Sequence, residues 1–361
     1  MSVSSTSNGS DSTVLPSTFR KLVCTKLSKN FREAAVLKTV PMLKPGPREI
    51  VIRNRFVGIN STEIHRTAGS YSMGVLTPPF DLGFEGVGEV VDLGKDVTHI
   101  KIGDSIAFMC LSAFGEYVMI DKIQALPIAS VKPEYVPFMV SGLTADLALR
   151  NAGRIKKGET VLVTAAAGGT GSLAVQYAKL AGCHVIGTCS SESKAEYLKS
   201  IGCDRPIVYT KENVGDVLRK EYPKKIDVVY ECIGGEMFST CFECLAHLGR
   251  MVIIGFVSGY AEGTNAEGCN AATPYLSKRQ TMLLLTRSLS VSGFYLYDHN
   301  PDWNESFARQ VKLFEEGSLQ SNIDNGKNSE KGPFKGIEAI ADAIEFLYTK
   351  KSQGKVVVEI Q

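Results

Sequence analysis

The chain has 361 residues, a length that suits two domains or one domain inserted in another. Lys plus Arg is 40 against 38 Asp plus Glu, a net charge of +2 that carries no basic excess for nucleic-acid phosphates. No apolar run approaches the about 18 residues needed to cross a bilayer, which argues against a membrane-spanning role.

In chain order, residues 1–18 read as a disordered tail, rich in Ser and Thr and without the apolar or Arg-rich character of a leader. Residues 19–127 read as strands and turns, among them 50–57, 88–91 and 114–120. Gly, Pro and Asp punctuate them at short intervals, as in Lys44-Pro45-Gly46-Pro47 and Lys101-Ile102-Gly103-Asp104. That spacing predicts a β-rich domain. From about residue 140 the texture changes to strands alternating with helices. Strands are predicted over 160–164, 184–188, 206–209, 226–231, 250–254 and 288–293. Helices are predicted over 172–181, 194–200, 214–221 and 236–245. Such alternation marks a parallel, doubly wound α/β sheet. Helices over 304–316 and 337–348 and a strand over 355–359 follow. That strand is placed to rejoin the first domain and make the nucleotide domain an insertion.

Ala165-Ala166-Ala167-Gly168-Gly169-Thr170-Gly171 lies between a Val/Leu-rich strand and an amphipathic helix. Glycine there admits a pyrophosphate to the backbone, and a helix N-terminus offers unpaired N–H groups. A dinucleotide is the expected ligand. Enzymes that use NAD carry an Asp or Glu at the tip of the second strand, about 20 residues on, for the ribose 2′-hydroxyl. Here the tip is Thr188-Cys189-Ser190-Ser191, with Lys194 one turn later. Hydroxyls and an ammonium suit a 2′-phosphate, so NADPH is expected, with Glu192 as the dissenting residue.

Gly83-Phe84-Glu85-Gly86-Val87-Gly88-Glu89-Val90 and the 165–171 loop together resemble the medium-chain dehydrogenase/reductase family, in its quinone oxidoreductase and enone reductase branch. Matches at Gly142-Leu143-Thr144-Ala145, Glu231-Cys232-Ile233-Gly234-Gly235 and Gly354-Lys355-Val356-Val357 extend the resemblance over residues 19–361. Segments 30–34, 53–58 and 254–260 look most like the prostaglandin reductases of that branch. The resemblance implies a GroES-like β domain (19–143 and 298–361) with an inserted Rossmann domain (144–297). It implies NADPH-dependent reduction of a C=C bond conjugated to a ketone, of the 15-keto-prostaglandin type, on a lipid-derived substrate. An NADPH:quinone reductase and a non-catalytic NADPH-binding protein remain as alternatives.

The resemblance also assigns residues. Zinc dehydrogenases of the family carry a catalytic Cys where this chain has Asn60, and a catalytic His where it has Phe84. Asn and Phe cannot replace a thiolate and an imidazole, so a zinc-independent enzyme with no metal site is implied. Tyr260 is the first candidate donor to an enolate, with Asn60 and Tyr71 also at the catalytic centre. Gly168, Gly169, Thr170, Gly171, Ser190, Lys194 and Tyr209 would hold the cofactor phosphates. Thr144, Cys232, Ile254, Tyr260, Phe294 and Tyr295 would line the rest of its site. For Phe294, Tyr295 and Tyr297, cleft and dimer-edge roles both stay open.

Cys241-Phe242-Glu243-Cys244-Leu245-Ala246-His247 invites a metal reading, but it reads as one helix, and buried inert cysteines are the simpler expectation. Of the five histidines, His65 is nearest to the active-site segment and reads as a surface or hydrogen-bonded residue. Nine cysteines at irregular spacing suit a reducing compartment, the cytoplasm or alternatively the peroxisome. The strand over 289–293, β-rich and poor in charge, predicts a homodimer through an exposed sheet edge.

Overall fold

The computed structural model describes residues 15–69, 76–260 and 276–360, apart from the side chain of Tyr260. The expected tail therefore lies outside the described residues up to residue 14, as do Tyr71 and the loop over 261–275.

Strands β1 (Thr18–Cys24) and β2 (Ala35–Pro41) form an antiparallel hairpin, and β4 (Phe80–Asp81) joins β1 on its other side. β3 (Glu49–Gly58) is the hub of the larger antiparallel sheet. It pairs with β5 (Glu85–Leu93) and β7 (Tyr117–Asp121). β6 (Ser105–Met109) and β8 (Ala125–Pro127) extend that sheet beyond β5. The expected strand over 114–120 starts three residues later. The buried Asn54 amide donates to the Ala113 and Gly115 carbonyls, at 2.7 and 3.0 Å, and holds that stretch as a turn.

The second sheet is wholly parallel. Its strands are β9 (Thr160–Val163), β10 (His184–Cys189), β11 (Arg205–Val208), β12 (Ile226–Glu231), β13 (Leu245–Ile253) and β14 (Ser290–Gly293), in the order β11-β10-β9-β12-β13-β14. This is a doubly wound order, and its direction reverses between β9 and β12, where such sheets bind ligands. The loop leaving β9 at that crevice is the glycine loop. β9 and β12 are buried along nearly their whole length, as a sheet covered by helices on both faces requires.

The last two strands return to the antiparallel sheet. β15 (Ile323–Asp324) pairs with β16 (Lys355–Glu359), and β16 lies antiparallel to β3 through Val357–Gly58 and Val358–Val57. The chain's last segment thus closes the sheet its first segment opened. It also touches the other sheet: the Gly354 N–H donates to the Ala167 carbonyl at 2.9 Å.

Several local expectations shift. The helix after the glycine loop runs Gly169–Leu180, so it starts inside the loop. The helix expected over 236–245 stops at Glu243, and β13 begins at Leu245, which puts His247 on a strand. Among the elements not foreseen are the short helices Phe31–Ala34 and Thr62–Thr67, the helix Val140–Leu147 with the π-helical turn Ala148–Ala152 that continues it, and the helix Lys278–Thr286.

Candidate active site

The glycine loop is shaped by backbone constraints. Ala165 takes a left-handed conformation (φ 48°), and Gly168 caps the helix. At Gly171 a Cβ would stand 2.4 Å from the Ala165 carbonyl oxygen, so no side chain fits where the helix crosses the strand turn. The loop leaves the helix N–H groups directed into the crevice, the arrangement that receives a pyrophosphate.

Side chains around the loop are taken up by backbone N–H groups. Thr188 is buried, and its hydroxyl accepts from the Ala165 N–H at 3.2 Å. It supports the loop and is not one of the phosphate-facing hydroxyls the strand tip suggested. Cys189 is buried as well. What the tip does present is Ser190 and Lys194. Lys194 Nζ donates to the Lys350 carbonyl at 2.8 Å, and Ser190 Oγ reaches the same oxygen at 3.5 Å. Burial draws the Lys194 ammonium below its usual pKa. Tyr209 is tied in by its backbone N–H to Cys189 O at 3.0 Å, with its side chain exposed. Glu192 turns away and pairs with Lys211 at 2.8 Å on the surface.

At the tip of β12, Glu231 is fully buried. Its carboxylate accepts from the Ile233 and Gly234 N–H groups at 2.9 and 3.0 Å and from the Thr164 hydroxyl at 3.3 Å. Burial holds it above the usual carboxylate range, with those donors opposing. Thr164 Oγ1 in turn accepts from the Cys232 N–H at 2.8 Å. Ile254 is anchored through its N–H to Glu231 O at 2.7 Å. Thr144 lies half-buried on the helix Val140–Leu147. The Phe294 ring is buried and stacked on His299 at 4.5 Å, while Tyr295 is half-buried beside Tyr297.

The opposite wall comes from the antiparallel sheet. Asn60 follows β3 directly. Its amide nitrogen donates to Glu85 Oε1 at 2.9 Å, and its oxygen accepts from Lys355 Nζ at 2.6 Å. Lys355 Nζ also stands 2.5 Å from Glu85 Oε1 and donates to Ser141 Oγ at 3.3 Å. Both members of this ion pair are out of solvent, at 3% and 0% side-chain exposure. The second Glu85 oxygen accepts the Val140 N–H at 2.7 Å. Ser141 lies 3.3 Å from the Thr170 hydroxyl, which carries the cluster to the glycine loop. A Cβ on Gly58 would meet Glu85 at 2.4 Å and Lys355 at 2.8 Å, so the end of β3 is shaped around this pair.

Glu63 lies in the helix Thr62–Thr67, fully buried, with neither oxygen in a well-formed hydrogen bond among the described residues, although the Asn60 side chain lies close enough to favour its charged form. Burial pushes its carboxyl well above the usual range against the pull of Arg66 and Lys355, and Glu85 adds to the rise. The Arg66 guanidinium covers the Phe80 and Phe84 rings at 5.3 and 5.5 Å and donates to the Asp81 carbonyl at 3.1 Å. His65, expected to be a surface or hydrogen-bonded residue, is not at the surface: it is buried, with its ring edge-on to Phe256 at 5.4 Å.

The structure therefore brings Asn60 into contact with Glu85 and Lys355, two residues that the sequence offered only as parts of family motifs. Glu63, Ser141 and the Lys350 carbonyl carried no signal of their own. The Tyr260 side chain and Tyr71 lie outside the described residues. Cys241 and Cys244 are buried, and burial raises both thiols. Among the described residues, no group of three or more His, Cys, Asp or Glu could hold a metal ion.

A zinc-binding dehydrogenase family model matches residues 169–312, and an alcohol dehydrogenase GroES-like domain model matches residues 46–131. Prostaglandin reductase-3 of Bos taurus is 46% identical over 348 residues, which is 96% of this chain and 90% of that protein. A probable quinone oxidoreductase of Leishmania amazonensis is 40% identical over 96% of this chain and 99% of its own length. Among solved structures, the Escherichia coli quinone oxidoreductase complexed with NADPH superposes with a TM-score of 0.79 at 26% identity, covering 94% of this chain and 99% of that one.

Proposed function

This chain belongs to the medium-chain dehydrogenase/reductase superfamily and is an oxidoreductase of it, and from its cleft we propose NADPH-dependent reduction of the C=C bond of α,β-unsaturated ketones, with lipid-derived enones of the 15-keto-prostaglandin type as substrates. The observation that carries this reading is Asn60. Its oxygen is occupied by Lys355 and its nitrogen by Glu85, and Phe84 beside it has no donor atom. With neither a thiolate nor an imidazole at these two positions, a carbonyl entering here would be polarised by a hydrogen bond from elsewhere in the cleft, for which Tyr260 is the proposed donor, and not by a metal. That suits an acceptor whose developing charge spreads over a conjugated system, as in an enone or a quinone.

The donor set fits NADPH. The N–H groups of Gly169, Thr170 and Gly171 would face the pyrophosphate, with Gly168, whose own N–H donates to the Ala165 carbonyl at 3.0 Å, turning the loop beneath it. Ser190, Lys194 and Tyr209 would surround the 2′-phosphate, since Ser190 and Lys194 already converge on one oxygen. Thr144, Cys232, Ile254, Tyr260, Phe294 and Tyr295 would border the rest, with Phe294 contributing its backbone because its ring is stacked away on His299. When bound, NADPH supplies a hydride at its nicotinamide ring. Asn60, fixed at both ends of its amide, shapes the floor beneath the substrate. Tyr260 and Tyr71 are proposed for the catalytic centre, with Tyr260 as a neutral donor to the carbonyl oxygen, since a tyrosine keeps its proton to about pH 10.

A quinone as the natural acceptor is favoured by the several quinone oxidoreductases among the relatives. The test is NADPH oxidation followed with 15-keto-prostaglandin E2, with a 1,4-naphthoquinone, and with neither. Turnover of the enone supports the reading, turnover of the quinone alone favours the second, and none with either points to a non-catalytic binding protein.

We also propose a homodimer through β14. That edge strand exposes Val291, and Leu248, Met282 and Leu285 stand exposed nearby, at 36%, 65%, 59% and 76%. A two-fold pairing would cover edge and patch together. Light scattering should give twice the 39.1 kDa chain mass. Among the described residues no helix is long and apolar enough to cross a membrane. The described cysteines are all free thiols, and we propose a cytoplasmic setting, or alternatively a peroxisomal one.

A further inference from the structure

The two walls of the cleft meet over the glycine loop. Lys355 opens β16, and the backbone just before it is tied to the loop by the Gly354 N–H on the Ala167 carbonyl at 2.9 Å. The lysine side chain then crosses the loop on its way to Asn60. A Cβ on Gly169 would stand 3.0 Å from Lys355 Cδ and 3.2 Å from Ser141 Oγ, so this glycine leaves the room in which the two side chains meet. Ser141 is buried in the first turn of the helix Val140–Leu147, next to the Val140 N–H that Glu85 holds.

Ser141 Oγ is the atom the two walls share. It accepts from Lys355 Nζ at 3.3 Å and from the Thr170 hydroxyl at 3.3 Å. An ammonium has only hydrogens to offer, so towards Lys355 the serine oxygen is always the acceptor. Towards Thr170 either hydroxyl can donate, and exchanging the roles moves no heavy atom. The pair therefore has two discrete arrangements. In the one present, Thr170 gives its hydrogen to Ser141. In the other, Ser141 donates to Thr170, and the Thr170 hydrogen turns to an anion at the helix N-terminus. A hydroxyl that is itself donating is the stronger acceptor, so this second arrangement tightens the hold of Ser141 on Lys355.

We propose that Ser141 is a positioning residue that couples the pyrophosphate site on the glycine loop to the acceptor site over Asn60. The role rests on the NADPH-dependent reading above. An anion on the loop turns the Thr170–Ser141 pair. Lys355 is then held by one hydrogen on Ser141, and its other two are aligned on Asn60 Oδ1 and Glu85 Oε1. The Asn60 amide, already anchored to Glu85 by its nitrogen, becomes a fixed floor for the acceptor. The element both sites bias is the pair of hydroxyl rotors, and the coupling is reciprocal: the acceptor tightens the pyrophosphate by the same factor.

The probe that tests this is 2′-phospho-ADP-ribose, which carries the pyrophosphate and the 2′-phosphate but no nicotinamide. Any effect it has on the acceptor runs through the protein. Calorimetric titration of 15-keto-prostaglandin E2 into wild type should show about fivefold tighter binding when the fragment is saturating. In Ser141→Ala that factor should fall to about one, with the melting temperature and the acceptor affinity of the fragment-free protein near wild type. Thr170→Val should remove the same factor, and combining the two variants should remove no more. A factor kept in Ser141→Ala, or none in a wild type that binds both ligands, overturns the coupling and leaves the functional reading standing. An acceptor affinity lowered equally with and without the fragment overturns it too, because the serine would then be structural. A wild type that binds the fragment but neither the enone nor the naphthoquinone overturns the functional reading and the coupling together.

Discussion

On the wall of the cleft built by the parallel sheet, buried polar side chains at the strand tips are satisfied by backbone N–H groups; on the wall built by the antiparallel sheet, Asn60 and Glu85 are held by a charge carried in from the far end of the chain. Glu231, Thr164 and Thr188 belong to the first kind, each accepting from a main-chain donor at a strand tip. Asn60, Glu85 and Lys355 belong to the second, and the Lys355–Asn60 contact spans 295 residues of sequence. A backbone cradle tolerates the loss of one side chain, because the N–H groups remain to meet water or ligand. A buried ion pair does not, because removing either partner strands the other's charge.

The severest test of that contrast is Lys355→Met. It leaves Glu85 fully buried with only the Asn60 amide and the Val140 N–H for company. Unfolding free energy should drop by about 3–5 kcal/mol. The double variant Lys355→Met with Glu85→Gln removes the stranded charge and should recover a large part of the loss. Urea unfolding monitored by tryptophan fluorescence measures both. Equal instability of single and double variants would mean that shape, not charge, holds this wall.

On the cradle side the largest effect should come from Lys194→Ala, and on binding rather than folding. One charge-assisted contact to a 2′-phosphate contributes about 1.5–3 kcal/mol, which is a rise of roughly tenfold or more in the NADPH dissociation constant. NADH, which lacks that phosphate, should bind nearly as before. Because burial lowers the Lys194 pKa, free-enzyme affinity for NADPH should begin to fall with rising pH below the usual lysine range. Coenzyme titrations at pH 7 and 9 on both proteins check the selectivity and the pH arm together.

The same contrast explains what was legible from sequence. The cradle is contiguous: strand, Gly168 to Gly171 and helix occupy one stretch, and the strand tip with Ser190 and Lys194 comes about 20 residues later, so spacing alone points to a dinucleotide and to its phosphate. The parallel order and the return of 355–359 to β3 follow from alternation and from a closing strand. The ionic wall has no such spacing. Lys355 reads as one more lysine before a valine-rich strand, and Glu85 as part of a glycine-patterned turn. Only β16 pairing with β3 lays the Lys355 ammonium on Asn60. Thr188 misled for a related reason: a hydroxyl at a strand tip can face the ligand or support the loop, and its sequence is the same in both cases. The π-helical turn over Ala148–Ala152 has no pattern that separates it from ordinary helix.

Glu63 sharpens the contrast through pH. Its folded carboxyl is held well above the usual range by burial, so the folded state keeps a proton that the unfolded chain releases near pH 4–5. Such a group costs nothing at low pH, where both states are protonated. Its cost grows as pH rises above the unfolded pKa, and levels off above the folded one. Glu63→Gln should therefore leave stability near wild type at pH 4 and raise it at pH 8, by on the order of 1 kcal/mol or more. Thermal melts across that range test the sign, and a gain confined to low pH would contradict it.

The smallest expected effect concerns Glu192, the acidic residue that could have turned the cradle towards NADH. Its carboxylate sits 59% exposed at the first turn of the helix Glu192–Ser200 and pairs with the exposed Lys211 at 2.8 Å. An exposed pair of this kind contributes about 0–1 kcal/mol, and an acidic side chain at a helix N-terminus adds about 0.3–1. Glu192→Gln removes both charges' interactions but keeps the shape, so stability should change by less than about 1 kcal/mol. The coenzyme arm is the sharper one. Were Glu192 the ligand of a ribose 2′-hydroxyl, its loss would cost a charge-assisted hydrogen bond, about 1.5–3 kcal/mol, and NADH affinity would fall roughly tenfold or more. With Glu192 held by Lys211 and the helix cap supplied by Ser191, whose hydroxyl accepts from the Lys194 N–H at 3.3 Å, no such bond is available to lose. NADH affinity in Glu192→Gln should therefore stay within about twofold of wild type, and NADPH affinity should stay level or rise slightly as a negative charge near the 2′-phosphate is removed. A tenfold loss for NADH would put an acid in the cradle after all, and the division between a backbone wall and an ionic wall would fail at that corner.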